Sequence, residues 1–310
     1  LLVAAGRDGG MATVGRDSPA GISVAGPDGP FPGVGYVKPD FADTTGTAGF
    51  KYSPVKDLTF RGSWGTGFLM PTITQLTSSA PTFGSFTITD PWRNNVSTNT
   101  PFLNIGGGNP NLKPEKSESL SGGVILTPRF LPGFRFSVDY THITKTDELG
   151  SLSNNLLFAN EDLFPERIVR APLTDADRAL GYTRGAIQQI DLRTTNLSGK
   201  RLTAYDFQAD YTWKTSSRGE FQFYALATYQ PEFSTKTIEI LPYVKTAGTL
   251  SILKWRGNGG VNWTKGRWTL GWNMQYYDSY QIYSPGLAAA SIAAQVLNQG
   301  SSTIPSQVYH

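Results

Sequence analysis

The nearest approach to a chemically equipped cluster in this sequence is a pair of carboxylates, Asp175 and Asp177, in the stretch TDADRALGY. A calcium loop needs oxygen ligands at a fixed run of positions that this stretch lacks, and Arg178 stands beside the pair. A short helical turn capped by Thr174 or Asp175 is the expected structure. The sequence holds two histidines, His142 and His310. That is too little material for a histidine metal site or a Ser-His-Asp triad. Cysteine is absent, which removes disulfides, thiolate metal sites and thiol nucleophiles together. The glycine run 106–108 is followed by neither a Gly-Lys-Ser/Thr triplet nor a helical pattern, so it is no phosphate cradle. No catalytic residue, metal site or cofactor is expected, and the chain is not read as an enzyme.

Composition narrows the class. Among 310 residues there are 34 Gly and 20 Pro, with 12% aromatic and only 16% charged residues, where an ordinary soluble domain carries about a quarter charged. That bias favours strands joined by turns and loops. Net charge is +3, from 27 basic and 24 acidic residues mixed along the chain. No basic stripe exists to neutralise phosphates, so nucleic acid is not an expected partner. The opening LLVAAGRDGGMATVGRD has neither a charged start nor a sustained apolar core, and it begins at Leu1. It reads as an internal cut rather than a natural start. No stretch nears the ~18 uninterrupted apolar residues of a membrane helix, and mean hydropathy is -0.26. A membrane barrel is not excluded, because its apolar residues occupy alternate positions.

The elements that would position any functional residue are read from period two. In RLTAYDFQADYTW, Thr203, Tyr205, Phe207, Ala209, Tyr211 and Trp213 share one face, against Leu202, Ala204, Asp206, Gln208, Asp210 and Thr212. EFQFYALATY follows across the four-residue turn 215–218 with Phe221, Phe223, Ala225, Ala227 and Tyr229 on one side. RWTLGWNMQYY and GGVNWT pair across Lys265-Gly266, and FRFSVDY and LTFRGSW repeat the pattern. The apolar faces carry no charge, whereas the opposite faces carry Arg61, Arg135, Asp139, Asp206, Asp210, Glu220 and Arg267.

A soluble sandwich and a membrane barrel both show such alternation. Loop lengths separate them. Short connections at 54–57, 128–133, 215–218 and 265–266 alternate with long ones at roughly 8–43, 68–116, 146–199, 231–249 and 284–305. All tight turns therefore fall at one end of an antiparallel sheet and all long loops at the other, as in outer-membrane barrels. Several strands exceed the ~9–11 residues that cross a bilayer, and Tyr and Trp cluster near their ends. The expected fold is an all-β, antiparallel transmembrane β-barrel occupying 1–310 as one partial domain. About nine strands are expected, with QVYH opening a tenth. A barrel cannot end on an unpaired edge in lipid, so the chain is expected to be a fragment.

Two motifs carry a family resemblance. GGGNPNLKPEKSESLSGGV contains Asn109, Pro110, Leu112, Lys113, Pro114, Glu115 and Ser117, and so resembles the lead-in to a barrel strand of TonB-dependent outer-membrane receptors. Upstream, LTFRGSWGTGFLMPTITQL resembles the preceding strand of that family, with Arg61, Ser63, Gly67, Phe68 and Pro71 in order; Leu69-Met70 departs from the frequent Arg-Ala. The resemblance covers essentially the whole chain. It implies a 22-stranded barrel, an N-terminal plug and a TonB box, neither of the last two recognisable in this sequence. It implies also localisation to the bacterial outer membrane, contact with outer-membrane lipid, and partnership with the TonB-ExbB-ExbD system through plug and box.

Asn-Pro favours a turn, and Lys113 before Pro114 is held extended, so residues 109–115 are expected to guide a loop into strand register rather than to touch ligand. Arg61, Arg135, Asp139, Asp206 and Asp210 are expected to face a polar lumen. In the loop between the motifs, Phe68, Phe83, Phe86, Trp92, Arg93 and Phe102 are candidate contacts for a bulky solute, or else packing that stiffens the loop. Five arginines, Arg167, Arg170, Arg178, Arg184 and Arg193, occupy the 146–199 loop, but acidic residues outnumber them there, so an anionic ferric siderophore is not singled out. The triplets at Asn95, Asn196 and Asn262 resemble glycosylation acceptors and carry no meaning on a bacterial barrel. The function implied is energy-coupled uptake of a scarce bulky solute such as a ferric siderophore, cobalamin or an oligosaccharide. A passive porin or adhesin-like barrel is the alternative, and a secreted soluble β-protein fits the one-sided loops least.

Overall fold

The computed structural model describes residues 44–77, 79–85, 87–98 and 101–310, together with the backbone of a strand at 2–6. Ten strands stand side by side in one antiparallel wall, in sequence order. They are β1 (Leu2–Gly6), β2 (Thr45–Val55), β3 (Leu58–Leu69), β4 (Glu115–Leu126), β5 (Phe134–Gly150), β6 (Thr195–Thr215), β7 (Gly219–Lys236), β8 (Trp255–Lys265), β9 (Trp268–Tyr277) and β10 (Gln307–Tyr309). The short piece Val244–Lys245 extends the sheet beside the end of β7. Among the described residues the sheet is open, with β1 and β10 as its edges. The tenth strand expected at QVYH is β10, which pairs with β9.

Residues 56–57, 127–133, 216–218 and 266–267 make the tight turns, and 70–114, 151–194, 237–254 and 278–306 the long connections. The expected excursion at 8–43 lies outside the described residues. At 17, 21 and 18 residues, β5, β6 and β7 are nearly twice the ~10 residues that cross a bilayer. At ~3.3 Å per residue the surplus extends these strands by roughly 25–35 Å. β8 and β9, at 11 and 10 residues, do not rise so far.

β7 runs on past Tyr229, where the sequence alternation stops, because of a bulge: Tyr205 pairs with Tyr229 but Thr203 with Glu232. Pro231 sits at this irregularity, beyond the last rung with β8 at Tyr229–Trp255, where its missing N–H breaks no ladder bond.

Hydrogen-bonded register sorts the two faces. One row runs through Lys51, Arg61, Gly123, Asp139, Asp206, Thr228, Arg256, Tyr277 and Gln307, from β2 to β10. The adjacent row, Phe60, Val124, Val138, Phe207, Ala227, Gly257, Tyr276 and Val308, points the other way and carries no charge. Large apolar side chains on this second face lie open, among them Tyr52 at 62%, Leu270 at 61% and Trp268 at 71% exposure. A solvent-facing sheet would not leave such a surface bare, whereas hydrocarbon covers it without cost.

The long connections fold over a core of their own. Strands Ile168–Arg170, Ile187–Asp191, Pro101–Ile105 and Thr82–Ser85 make a small sheet in that order. Its central pair, Ile187–Asp191 with Pro101–Ile105, is parallel and joins two different long loops. Ile88, Phe102, Leu157, Phe158, Ile190 and Ile238 are buried together there, so that residues from the 70–114, 151–194 and 237–254 connections share one hydrophobic cluster.

Candidate functional site

At the foot of this cap lies the stretch from the glycine run 106–108 to Glu115. The preceding helix Ile73–Leu76 is closed by a reciprocal cap between Thr72 and Gln75. The Gly108 amide donates to the Thr77 carbonyl (3.1 Å) and the Asn109 amide to the Gln75 carbonyl (2.7 Å). A Cβ on Gly108 would fall on those two carbonyls, which explains a glycine there. Asn109 turns the chain, accepting from the Asn111 amide (2.9 Å) and donating Nδ2 to the Thr194 carbonyl (3.0 Å). Leu112 is buried at 3% exposure. The Lys113 amide donates to Asn196 Oδ1 (2.8 Å), while Asn196 Nδ2 donates to the carbonyls of Lys113 (2.8 Å) and Asp147 (2.7 Å). Pro114 follows, half-buried, and Glu115 opens β4 by accepting from Lys145 Nζ (3.0 Å) and the Leu149 amide (3.0 Å). The motif thus ties the starts of β4 and β6 to the end of β5.

Asn196 is the residue that sequence reasoning passed over. Its triplet suggests nothing of the kind, and the only available signal is its position at the opening of a long strand that follows a long loop.

Above the clamp, an ionic network joins the loops. Arg170 forks onto Glu161 (Nε to Oε1, 2.7 Å; Nη2 to Oε2, 3.0 Å) and Asp90 (Nη1 to Oδ2, 2.6 Å; Nη2 to Oδ1, 3.1 Å), and donates also to the Gly185 carbonyl (2.9 Å). Asp90 and Glu161 are buried, at 1% and 5% exposure. Burial alone would lower the Arg170 pKa; the bonds from Glu161 and Asp90 more than reverse this and leave it above the ordinary arginine value. Arg184 contacts Glu161 (3.0 Å) and Asp162 (2.8 Å) and lies over the Trp92 ring at 4.1 Å. Arg93 donates to Asp177 (2.8 Å) and lies over Tyr182 at 4.2 Å. Asp177 belongs to the helical turn Asp175–Ala179, capped by Thr174 as expected from sequence.

The six aromatic and cationic loop candidates therefore part company. Phe102 is a core residue at 3% exposure. Trp92 is engaged by Arg184, and Arg93 by Tyr182 and Asp177. Phe68 stands on β3 rather than in the loop, on the face of Phe60 and Trp64, because β3 runs two residues further than its alternation suggested. Phe86 lies outside the described residues. Phe83, on the edge strand of the small sheet, is open at 69% exposure.

On the polar face of the wall, Arg61 grips Asp139 with two bonds (Nε to Oδ1, 2.8 Å; Nη2 to Oδ2, 2.6 Å) across Gly123. A Cβ on Gly123 would fall on the Asp139 carboxylate. Asp206, opposite Asp139, accepts from Thr228 Oγ1 (2.6 Å). With Ser63, Ser121 and Thr141 these residues line a polar recess of about 490 Å³. Nearer the tight turns, Arg135 and Asp210 pair at 3.7 Å. The polar residues expected on one face are brought together there.

Comparison with known proteins agrees. Residues 21–304 match the family described as TonB dependent receptor-like, beta-barrel. No curated protein matches the chain. Among solved structures, the siderophore receptor PirA from Acinetobacter baumannii is similar at 11% identity and a TM-score of 0.51, over 86% of this chain and 34% of that one. The ferric enterobactin receptor PfeA from Pseudomonas aeruginosa, solved with enterobactin, is similar at 11% identity and a TM-score of 0.53, over 86% and 32%. The chain thus spans about a third of the length of these structures. An antiparallel wall with one polar and one apolar face, a capping lead-in at residues 109–115 and a family match over most of its length place this chain in the family of TonB-dependent receptor-like β-barrels.

Proposed function

We infer that this chain supplies part of the wall and loop cap of an outer-membrane receptor that takes up a scarce, bulky solute with energy delivered by TonB, ExbB and ExbD. The solute is a ferric siderophore, cobalamin or an oligosaccharide, captured by the cap and passed along the polar face. TonB would act through a plug and a TonB box, as in the family. The observation that carries this reading is the cap: long connections with a common core and a buried ionic network form an ordered structure at one end of the wall. The similarity to siderophore receptors at 11% identity speaks for the fold, so the three solute classes stand as arms of the test.

Deleting the parent gene in its host should abolish growth on one limiting solute of the three, and loss of TonB should abolish it equally. Uptake that persists without TonB would favour the passive porin. Phe83, which lies open on the small sheet, is the candidate contact that the test takes first. Phe83→Ala should raise the half-saturating concentration several-fold while leaving surface expression unchanged.

A further inference from the structure

The tight-turn end of the wall carries an unbalanced set of cations. Arg129 is paired with Asp57 (2.8 Å) and Lys214 with Glu220 (3.2 Å). Arg218, Lys265 and Arg267 are exposed and, among the described residues, form no ion pair. Arg218 and Arg267 lie on two adjacent turns, 216–218 and 266–267, and Lys265 is the last residue of β8 beside them, because β7 and β8 are neighbours with Glu220 opposite Thr264. Trp263 Nε1 donates to the Arg218 carbonyl at 2.7 Å and fastens one turn to the other.

One rung inward on the apolar face stands an aromatic belt. Trp213 stacks on Phe221 at 5.5 Å between ring centres, and Phe221 meets Trp263 at 6.4 Å. Trp268 is opposite Lys265 and 71% exposed. Interfacial tryptophans lie at the headgroup level of a bilayer, so this belt fixes the depth of the corner. Cations just beyond it are in the phosphate layer, and the turn end of such a barrel faces the periplasmic leaflet. From Trp268 the open strip continues along Leu270 and Trp272 into the hydrocarbon. An occupant that matches both features has an anionic head and acyl chains; a soluble anion would satisfy the cations and leave the strip bare.

We propose that Arg218, Lys265 and Arg267, with Trp268 beneath them, form a binding site for the phosphodiester headgroup of an anionic phospholipid in the periplasmic leaflet. The site rests on the outer-membrane barrel reading. Near a membrane surface each such cation strengthens anionic-lipid attachment by about fivefold at low salt.

The test uses the full-length receptor, stripped of lipid in neutral detergent and titrated with phosphatidylglycerol or phosphatidylcholine, bound lipids being counted by native mass spectrometry. Phosphatidylglycerol should be retained with at least a fivefold preference at low salt. Arg267→Gln, in the turn itself, should lower that preference several-fold, and Arg218→Gln, Lys265→Gln and Arg267→Gln combined should remove it. Lys56→Gln, on a distant turn, should leave it intact. Equal retention of the two lipids, a preference unchanged in the combined variant, or displacement of the lipid by inorganic phosphate would overturn the assignment. Heat-modifiable migration and insertion into vesicles are read first: a receptor that fails to insert removes the barrel reading itself, whereas one that inserts without lipid preference removes only this site.

Discussion

Replacing Arg170 by methionine tests what holds the loop cap together. Among the described residues the guanidinium is the sole cation on the Asp90 carboxylate, whose only other partner there is the Trp92 amide at 3.1 Å. Glu161 keeps Arg184 at 3.0 Å when Arg170 is lost. Breaking a buried ion pair typically costs about 3–5 kcal/mol because one charge is left uncompensated. Since one of the two carboxylates retains a cation, the lower end applies, ~3 kcal/mol. That energy corresponds to roughly a 150-fold increase in local opening. Hydrogen exchange of the full-length receptor in detergent should show this increase at amides of 102–105 and Ile187–Asp191, the central strands of the small sheet to which the strand of Arg170 belongs. Amides of β5 to β7 should not change, because the wall has its own ladder bonds. Combining Arg170→Met with Asp90→Asn removes the stranded charge and should recover about half of the lost protection. If Arg170→Met leaves cap exchange within threefold of the parent, the network does not hold the cap. If the wall loosens equally, cap and wall are one cooperative unit and their separate description fails.

Other perturbations have equally definite outcomes. Asn196→Ala removes three bonds, to the Lys113 amide and to the carbonyls of Lys113 and Asp147; at ~0.5–1.5 kcal/mol each, a local loss of about 2–4 kcal/mol should appear as faster exchange at Lys113 with the barrel still folded. Gly123→Val should displace Asp139 from Arg61. Yet Arg61→Met alone should cost under ~1 kcal/mol, since the pair is solvated, and comparing the two thermal midpoints separates backbone crowding from loss of the ion pair. Acid should loosen the cap in a defined window. Burial would raise the Asp191 pKa, but the Arg193 guanidinium and amide hold it below the ordinary 3.8. Its folded value is therefore depressed, so its contribution is complete above pH 3.8 and is lost as pH falls through the lower folded value. Proteolysis of the loops by an acid-stable protease should accelerate only there.

The wall was legible because its signal is local and repeated. Alternation in residues 201–213 and 220–229 requires nothing but a sheet with two different sides. Where the strands exceeded that reading, the cause is physical: beyond Tyr229 the bulge at Pro231 shifts the face by one residue, and the period ends although the strand continues. The cap gave no such signal. Its strands are three to five residues long, and its contacts join Asp90 to Arg170 and Lys113 to Asn196, across some 80 positions. The aromatic loop residues were visible as types, but whether Phe102 is core and Phe83 exposed depends on a parallel pairing between loops that no local pattern announces.

The charged row from Lys51 to Gln307 has a consequence for assembly. Strands that insert side by side can pair one residue out of step, and such a slip turns every side chain to the opposite face. A slipped β3 or β8 would carry Arg61 or Arg256 into hydrocarbon, at ~2–4 kcal/mol for each arginine near the midplane. Because Arg61, Asp139, Asp206 and Arg256 lie on one line across neighbouring strands, each hairpin is tested against the last as it is added. The row thus makes a one-residue slip of any one hairpin unfavourable while the wall is still incomplete.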